Sequence, residues 1–387
     1  MTEVDTEIIA VSERILSEVF GGGVRIEAKA RLGDSIRSNV LRCRVQAGPA
    51  EAPESVVVKQ VIAHDDDVYD PDSIEGPAVR LFNDWAGLQF LSDVTDGTAL
   101  TPRFYGGDRE SGLIVVEDLG AGERLDQLLL GDASADAEFG LIEFSKVLGR
   151  LHALTVGKRA EYERIRDALG PRWQSPSTAE GLLIGLAQAC NAVGVTLRQE
   201  VAEEMEAVAA LVANPGPFDV YTHGALCPDN SRFVGGELRL LNFEFGDFRH
   251  ALRDGVYGRI YFPTCWCVNR IPAIIMREME NAYRAELVKG CPEATDDTLF
   301  YRAIVEACIH WVIGMFYSLT HGLLEEHDES GISTVHQRLL LRLDALVKAT
   351  EEFAYLPTIG ATVRDILAKL RATWTDGAEM PYYPAFR

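Results

Sequence analysis

Residues 221–233 read YTHGALCPDNSRF, and residues 238–248 follow as LRLLNFEFGDF. Each stretch is a short apolar run of strand character followed by polar side chains. In the first these are His223 and Asn230, with Gly224 and Ala225 between them; in the second they are Asn242 and Glu244, two residues apart, which in an extended segment face the same way. Asn230 stands five residues after Ala225, and Asn242 twelve after Asn230. Together the two stretches make a β-rich island, from about Phe218 to Phe245, inside a sequence that otherwise reads as helical from Gly120 onward.

The remainder of the chain sets the frame for this island. A length of 387 residues exceeds the usual span of one hydrophobic core, which predicts two lobes. An apolar content of 47% fits a folded chain. A net charge of -22 excludes nucleic acid and anionic membrane surfaces as expected partners, because both would repel it. Seven cysteines in a chain of this length do not make a disulfide framework. The start, MTEVDTEIIAVSERILSEVF, is acidic and amphipathic and lacks a basic n-region followed by an apolar core. The most apolar long stretch, LFYRAIVEACIHWVIGMFYSLTHGLL, carries Arg302, Glu306, His310 and His321, so it is expected as a buried helix and not as a membrane span. A cytoplasmic location is expected.

Before Gly120 the pattern is mainly strand. VRIEAKA, the polar turn RLGDSIRSN, VLRCRV and the β-branched run SVVVKQVI predict three strands. PAVRLFNDWAGLQFLSDV then has Val79, Phe82, Leu88 and Leu91 at near-helical spacing, and PRFYGGDRESGLIVVEDLG reads as a hairpin. Lys59 sits alone among the apolar residues of SVVVKQVI, and an ammonium there needs either an anion or, on an edge strand, a route to solvent.

Taken in order, these motifs resemble the aminoglycoside-phosphotransferase and choline-kinase-like enzymes, small-molecule kinases on the bilobal protein-kinase fold. The resemblance implies an α+β fold with a small strand-rich N-lobe (1–118), a hinge near 117–121 and a large, mainly helical C-lobe (119–387). It implies that Lys59 holds the α/β-phosphates of ATP and pairs with Asp84 on the next helix, where the family more often has Glu. It makes RLGDSIRSN the phosphate-covering turn through Gly33, Ser35, Ser38 and Asn39, although an ordinary hairpin turn reads the same way. It makes LIVVEDLG the adenine-binding hinge, through main-chain groups near Glu117 and Leu119, and gives His152 in LGRLHALT a structural role. Asp254 in ALRDGVYG matches the structural acid of the lower lobe.

The family reads H-G-D-x-x-x-x-N where this chain has HGALCPDN. His223, Gly224 and Asn230 match, but the position of the proton-accepting Asp is Ala225. The family reads D-F-E where this chain has Asn242, Phe243 and Glu244, so the main Mg2+ ligand is an amide. A methyl group accepts no proton, and Asn230 with Asn242 holds Mg2+ far more weakly than an Asn with an Asp. The expected function is therefore a pseudokinase that binds a nucleotide or small ligand with little phosphoryl transfer.

Two alternatives stay open. One is a working ATP-dependent small-molecule kinase, either because Glu244 takes the metal and Asp229 approaches the acceptor, or because native acids at 225 and 242 have been replaced. The other is a regulatory protein that binds no nucleotide. An acidic cleft would suit a cationic small-molecule acceptor. Cys265 and Cys267 in FPTCWCVNRIP lack a second pair or nearby His to complete a zinc site, and Cys227 is distant in sequence, so structural thiols are expected there.

Overall fold

A computed structural model describes residues 3–33, 38–62, 69–74, 76–95, 98–172, 178–316, 332–374 and 379–387. The described residues form two compact units. The first combines Met1–Gly122 with Lys158–Gln174 and Arg232–Asp247; the second takes Glu123–Gly157, Ser175–Ser231 and Phe248–Arg387. The α+β class is as expected, with strands concentrated in the first third of the chain and helices thereafter.

The first unit is built on an antiparallel sheet of five strands in the order β1-β2-β3-β5-β4. These are β1 (Arg25–Arg31), β2 (Ser38–Ala47), β3 (Ser55–Val61), β4 (Phe104–Asp108) and β5 (Leu113–Glu117). In β3, Val56 and Val58 are buried while Val57 is partly exposed, the period-two alternation of a sheet with one face on a core. Helix α1 (Glu3–Phe20) supplies Ile8, Ile15 and Leu16 to that core, against Ile26, Leu41, Cys43, Val56, Val58, Leu113 and Val115. The close approach of α1 explains Gly106 in β4: its φ is 151°, and a Cβ there would come within 2.6 Å of Ile15.

Helix α2 (Ala78–Val94) buries Val79, Phe82, Leu88 and Leu91, the positions its sequence periodicity singled out. The segment 158–174 adds a helix of its own, Arg159–Leu169, which packs on α2 with Tyr162 edge-on to Phe90 at 5.8 Å.

The second unit is mainly helical. Its helices include α3 (Leu125–Leu130) and α4 (Ser134–Thr155), and we label the Arg159–Leu169 helix of the first unit α5. The others are α6 (Ala179–Val193), α7 (Val201–Ala213), α8 (Leu252–Gly255), α9 (Ala273–Leu287), α10 (Asp297–Gly314), α11 (Val335–Glu352) and α12 (Pro357–Thr373). Helices α4 and α9 approach closely at Gly149, where a Cβ would lie 2.5 Å from the Tyr283 carbonyl oxygen. Helix α10 is buried on most sides, which is why its sequence is apolar almost throughout. Among the described residues no helix is long and apolar enough to cross a membrane. In this unit the island contributes strand β6 (Asp219–Thr222), paired with β9 (Asp247–His250); between them in sequence, β7 (Ser231–Val234) and β8 (Glu237–Leu240) pair with each other and fall mainly in the first unit.

Candidate functional site

Lys59 lies on β3, the middle strand of the five, and is 8% exposed, so it is not an edge-strand lysine reaching solvent. Its ammonium has three protons, and three side-chain acceptors meet them: Asp84 Oδ2 at 2.9 Å, Asn242 Oδ1 at 2.8 Å and Glu244 Oε1 at 2.6 Å. All four residues belong to the first unit. Burial alone would lower the Lys59 pKa, but Asp84 and Glu244 outweigh it and hold the group above its ordinary value.

The turn that carries Asn242 and Glu244 is fastened to α2. The Phe243 N–H donates to Asp84 Oδ1 at 2.8 Å, so Asp84 joins the lysine to the turn through its two oxygens. Asn83, next to it, donates from Nδ2 to the Glu244 carbonyl at 2.9 Å. Asn83 in turn accepts from Arg166 Nε at 2.7 Å. Arg166 is wholly buried on α5 and spends its remaining donors on the carbonyls of Gly170 and Pro171. The turn is not extended: Asn242 has φ 64°, a left-handed conformation that Asn tolerates better than most residues. Asn242 and Glu244 nonetheless reach one ammonium, because the turn curls both side chains toward β3.

The other residues of this unit with an expected nucleotide role are placed as follows. Glu117, at the end of β5, receives Arg239 Nη1 at 2.9 and 3.0 Å, and its own N–H is bonded to the Arg103 carbonyl. Among the described residues, no hydrogen bond engages the main-chain N–H or C=O of Leu119. Gly33 has φ 71° with open space around its Cα, and Ser38 is buried at the start of β2. The neighbouring Asn39 Oδ1 is buried without a hydrogen-bond partner. Ser35 lies outside the described residues.

The HGALCPDN loop belongs to the second unit. Asp254, 1% exposed on α8, accepts from the His223 N–H at 2.6 Å and from the Gly224 N–H at 3.3 Å. Burial would raise its pKa, but His152 beside it and the amide bonds hold it below the ordinary value. His152 Nε2 is 3.7 Å away, beyond hydrogen-bond length, while its Nδ1 meets the Tyr283 hydroxyl at 2.8 Å. The Tyr257 hydroxyl donates to the Gly224 carbonyl at 2.9 Å, and Asn230 Nδ2 donates to the Ala225 carbonyl at 2.9 Å. The loop backbone is thus held on every side, around a position that presents only the Ala225 methyl. Asp229 is turned to Trp266 Nε1, which donates to its Oδ2 at 3.0 Å.

Mg2+ is the ion that the resemblance implies, and the Asn242–Glu244 turn does not fit it. The ion relies on carboxylate charge and near-octahedral geometry. Here the turn offers one carboxylate and one amide, and both oxygens already contact the Lys59 ammonium.

Sequence reading did not single out Asn83, Arg166, Tyr257 or Tyr283. Arg166 lies in RAEYERIRDAL, a charge-rich stretch that looks solvated, and nothing in it marks one arginine as wholly buried. Asn83 adjoins Asp84, and that adjacency was the available signal.

No family model matches this chain, and no curated protein matches it. Among solved structures it is similar to a choline kinase from Cryptosporidium parvum (14% identity, TM-score 0.46, covering 96% of this chain and 97% of that one). It is also similar to the macrolide 2'-phosphotransferase MphH from Brachybacterium faecium (17% identity, TM-score 0.43, 82% and 94% covered). A third similarity is to the streptomycin–ATP–APH(2")-IIa ternary complex (13% identity, TM-score 0.45, 83% and 96% covered).

Proposed function

We propose that this chain is a kinase-like binding protein that holds a nucleoside-type or other small ligand and transfers phosphate poorly. One observation carries the reading: the lysine that would hold phosphate has all three donors taken by Asp84, Asn242 and Glu244. With one positive and two negative groups, the cluster has no surplus positive charge for a triphosphate. The position of the missing base, Ala225, points the same way, since general-base catalysis contributes roughly 10²–10⁴-fold. Losing charge stabilisation at the metal position removes what is usually the larger contribution. In this reading ATP binds through its base and ribose, with the unengaged main chain of Leu119 as the base contact, and Mg2+ adds nothing. The ligand or acceptor is a small molecule, of cationic type if the site shares the acidity of the chain.

Thermal-shift titration with ATP and adenosine, each with and without Mg2+, tests this. The expected result is similar stabilisation by both compounds, independent of metal. Stabilisation by ATP that requires Mg2+ would support a working kinase instead, and no shift with either compound would remove the nucleotide from the proposal. The double variant Ala225→Asp with Asn242→Asp should gain phosphate transfer to a hydroxyl compound; Asn and Asp both tolerate the backbone conformation at 242. A double variant that binds nucleotide yet stays inert across a broad panel of hydroxyl compounds would count against a kinase disabled at these two positions.

A further inference from the structure

The loop between Ala225 and Asn230 holds a second group of side chains that the phosphate chemistry does not use. Cys227 Sγ, a carboxylate oxygen of Asp229 and Cys265 Sγ lie within 4.8 Å of one another. Cys267 Sγ is 3.0 Å from Cys265 Sγ, closer than two sulfurs in ordinary van der Waals contact. The three cysteines are 9%, 2% and 0% exposed, and all these residues belong to the second unit. Asp229 supplies an independent observation. One oxygen, Oδ2, accepts from Trp266, while Oδ1 is buried with no hydrogen-bond partner. A buried carboxylate oxygen without a partner is costly, and it calls for either a donor or a cation.

We propose that Cys227, Asp229 and Cys265, with Cys267 placed to supply the fourth donor, bind a thiophilic divalent cation of the zinc type. Zn–S bonds of about 2.3 Å and a Zn–O bond of about 2.0 Å put tetrahedral donors roughly 3.5–3.8 Å apart, so closure on the ion draws the three donors that lie within 4.8 Å together by up to about 1 Å and parts the Cys265 and Cys267 sulfurs, 3.0 Å apart, by about 0.8 Å. Three thiolates and a carboxylate overcompensate a divalent ion by two negative charges. Two buried arginines stand ready to balance it. Arg338 donates to the carbonyls of Trp266 at 2.9 Å and Cys265 at 3.4 Å, and Arg342 donates to that of Phe262 at 3.4 Å. The Nε of Arg342 is buried without a partner of its own. The mixed sulfur and carboxylate set selects against Mg2+ and Ca2+. The bound ion would tie residues 225–230 to the loop 264–267, making the HGALCPDN loop a metal-pinned structural element. This inference does not depend on whether a nucleotide binds.

The test uses the full chain, reduced and stripped of metal, titrated with Co2+ as a spectroscopic probe and then with Zn2+. Expected are sulfur-to-cobalt charge-transfer absorption and the intense visible bands of tetrahedral Co2+, saturating at one equivalent and bleached by Zn2+. Cys265→Ser and Cys227→Ser should abolish the charge-transfer band, Asp229→Asn should weaken binding at least about tenfold, and Cys190→Ser should leave it unchanged. Asp229 is only partly buried, so Asp229→Asn keeps the test decisive should a cysteine variant misfold. Failure to develop the charge-transfer band, or equal affinity in Asp229→Asn, overturns the proposal. So does thiol counting on the protein as isolated, before reduction, that finds Cys265 and Cys267 joined as a disulfide.

Discussion

Replacing Lys59 with Met removes the cation from between Asp84 and Glu244 while keeping most of the side-chain volume. At 2.9 and 2.6 Å, each ion pair has a gross attraction of about 6 kcal/mol at an effective dielectric constant of about 20. Much of that gain offsets the desolvation of the three groups, whose side chains are 11%, 3% and 19% exposed. Removing one partner leaves the desolvation of the others uncompensated, and for a buried pair the resulting loss is about 3–5 kcal/mol. For a unit of this size that corresponds to a fall of about 6–20 °C in Tm. The loss should also depend on pH. Without the ammonium, the two carboxylates take up protons more readily in the folded state than in the unfolded one. The variant therefore recovers stability relative to the native protein as pH falls from 7.5 toward 5. Thermal unfolding followed by circular dichroism at both pH values gives the numbers. A Tm at pH 7.5 within about 2 °C of the native value would refute the argument that Lys59 is the hub of this cluster.

Two further outcomes follow from the packing. Glu306 on α10 is pushed up to about 7 by burial, against a Tyr355 hydroxyl bond and Arg302 that lower it. A raised carboxyl contributes stability that is present at low pH and lost as pH rises through about 7, so Glu306→Gln should stabilise the protein at pH 8 by up to about 3 kcal/mol. It should change little at pH 4.5, and equal Tm shifts at both pH values would exclude that account. Gly149→Val would drive a side chain into the Tyr283 carbonyl and the Glu286 Cβ, parting α4 from α9. A loss of at least about 1–3 kcal/mol is expected in urea unfolding, and an unchanged midpoint would show that the two helices have slack.

The strands and helices of the first unit could be read from the sequence because their signals are local. The β-branched run of SVVVKQVI marks a strand and the spacing of Val79, Phe82, Leu88 and Leu91 marks one helix face, and both are packed on a core. The absence of carboxylates at 225 and 242 is likewise a property of the chain alone. Other features depend on which distant segments meet. Glu244 and Asn242 reach Lys59 across more than 180 residues, through a curled turn that an extended reading did not foresee. Arg166 looks like a surface charge until its helix is packed on α2, where Asn83 and two carbonyls absorb its donors. Cys227 and Cys265 looked unrelated in sequence, yet their loops converge to within 4.8 Å. Periodicity encodes the burial of a face, which is set by near neighbours. Pairing of charges, thiols and amides is set by long-range contacts, and only the folded chain decides those.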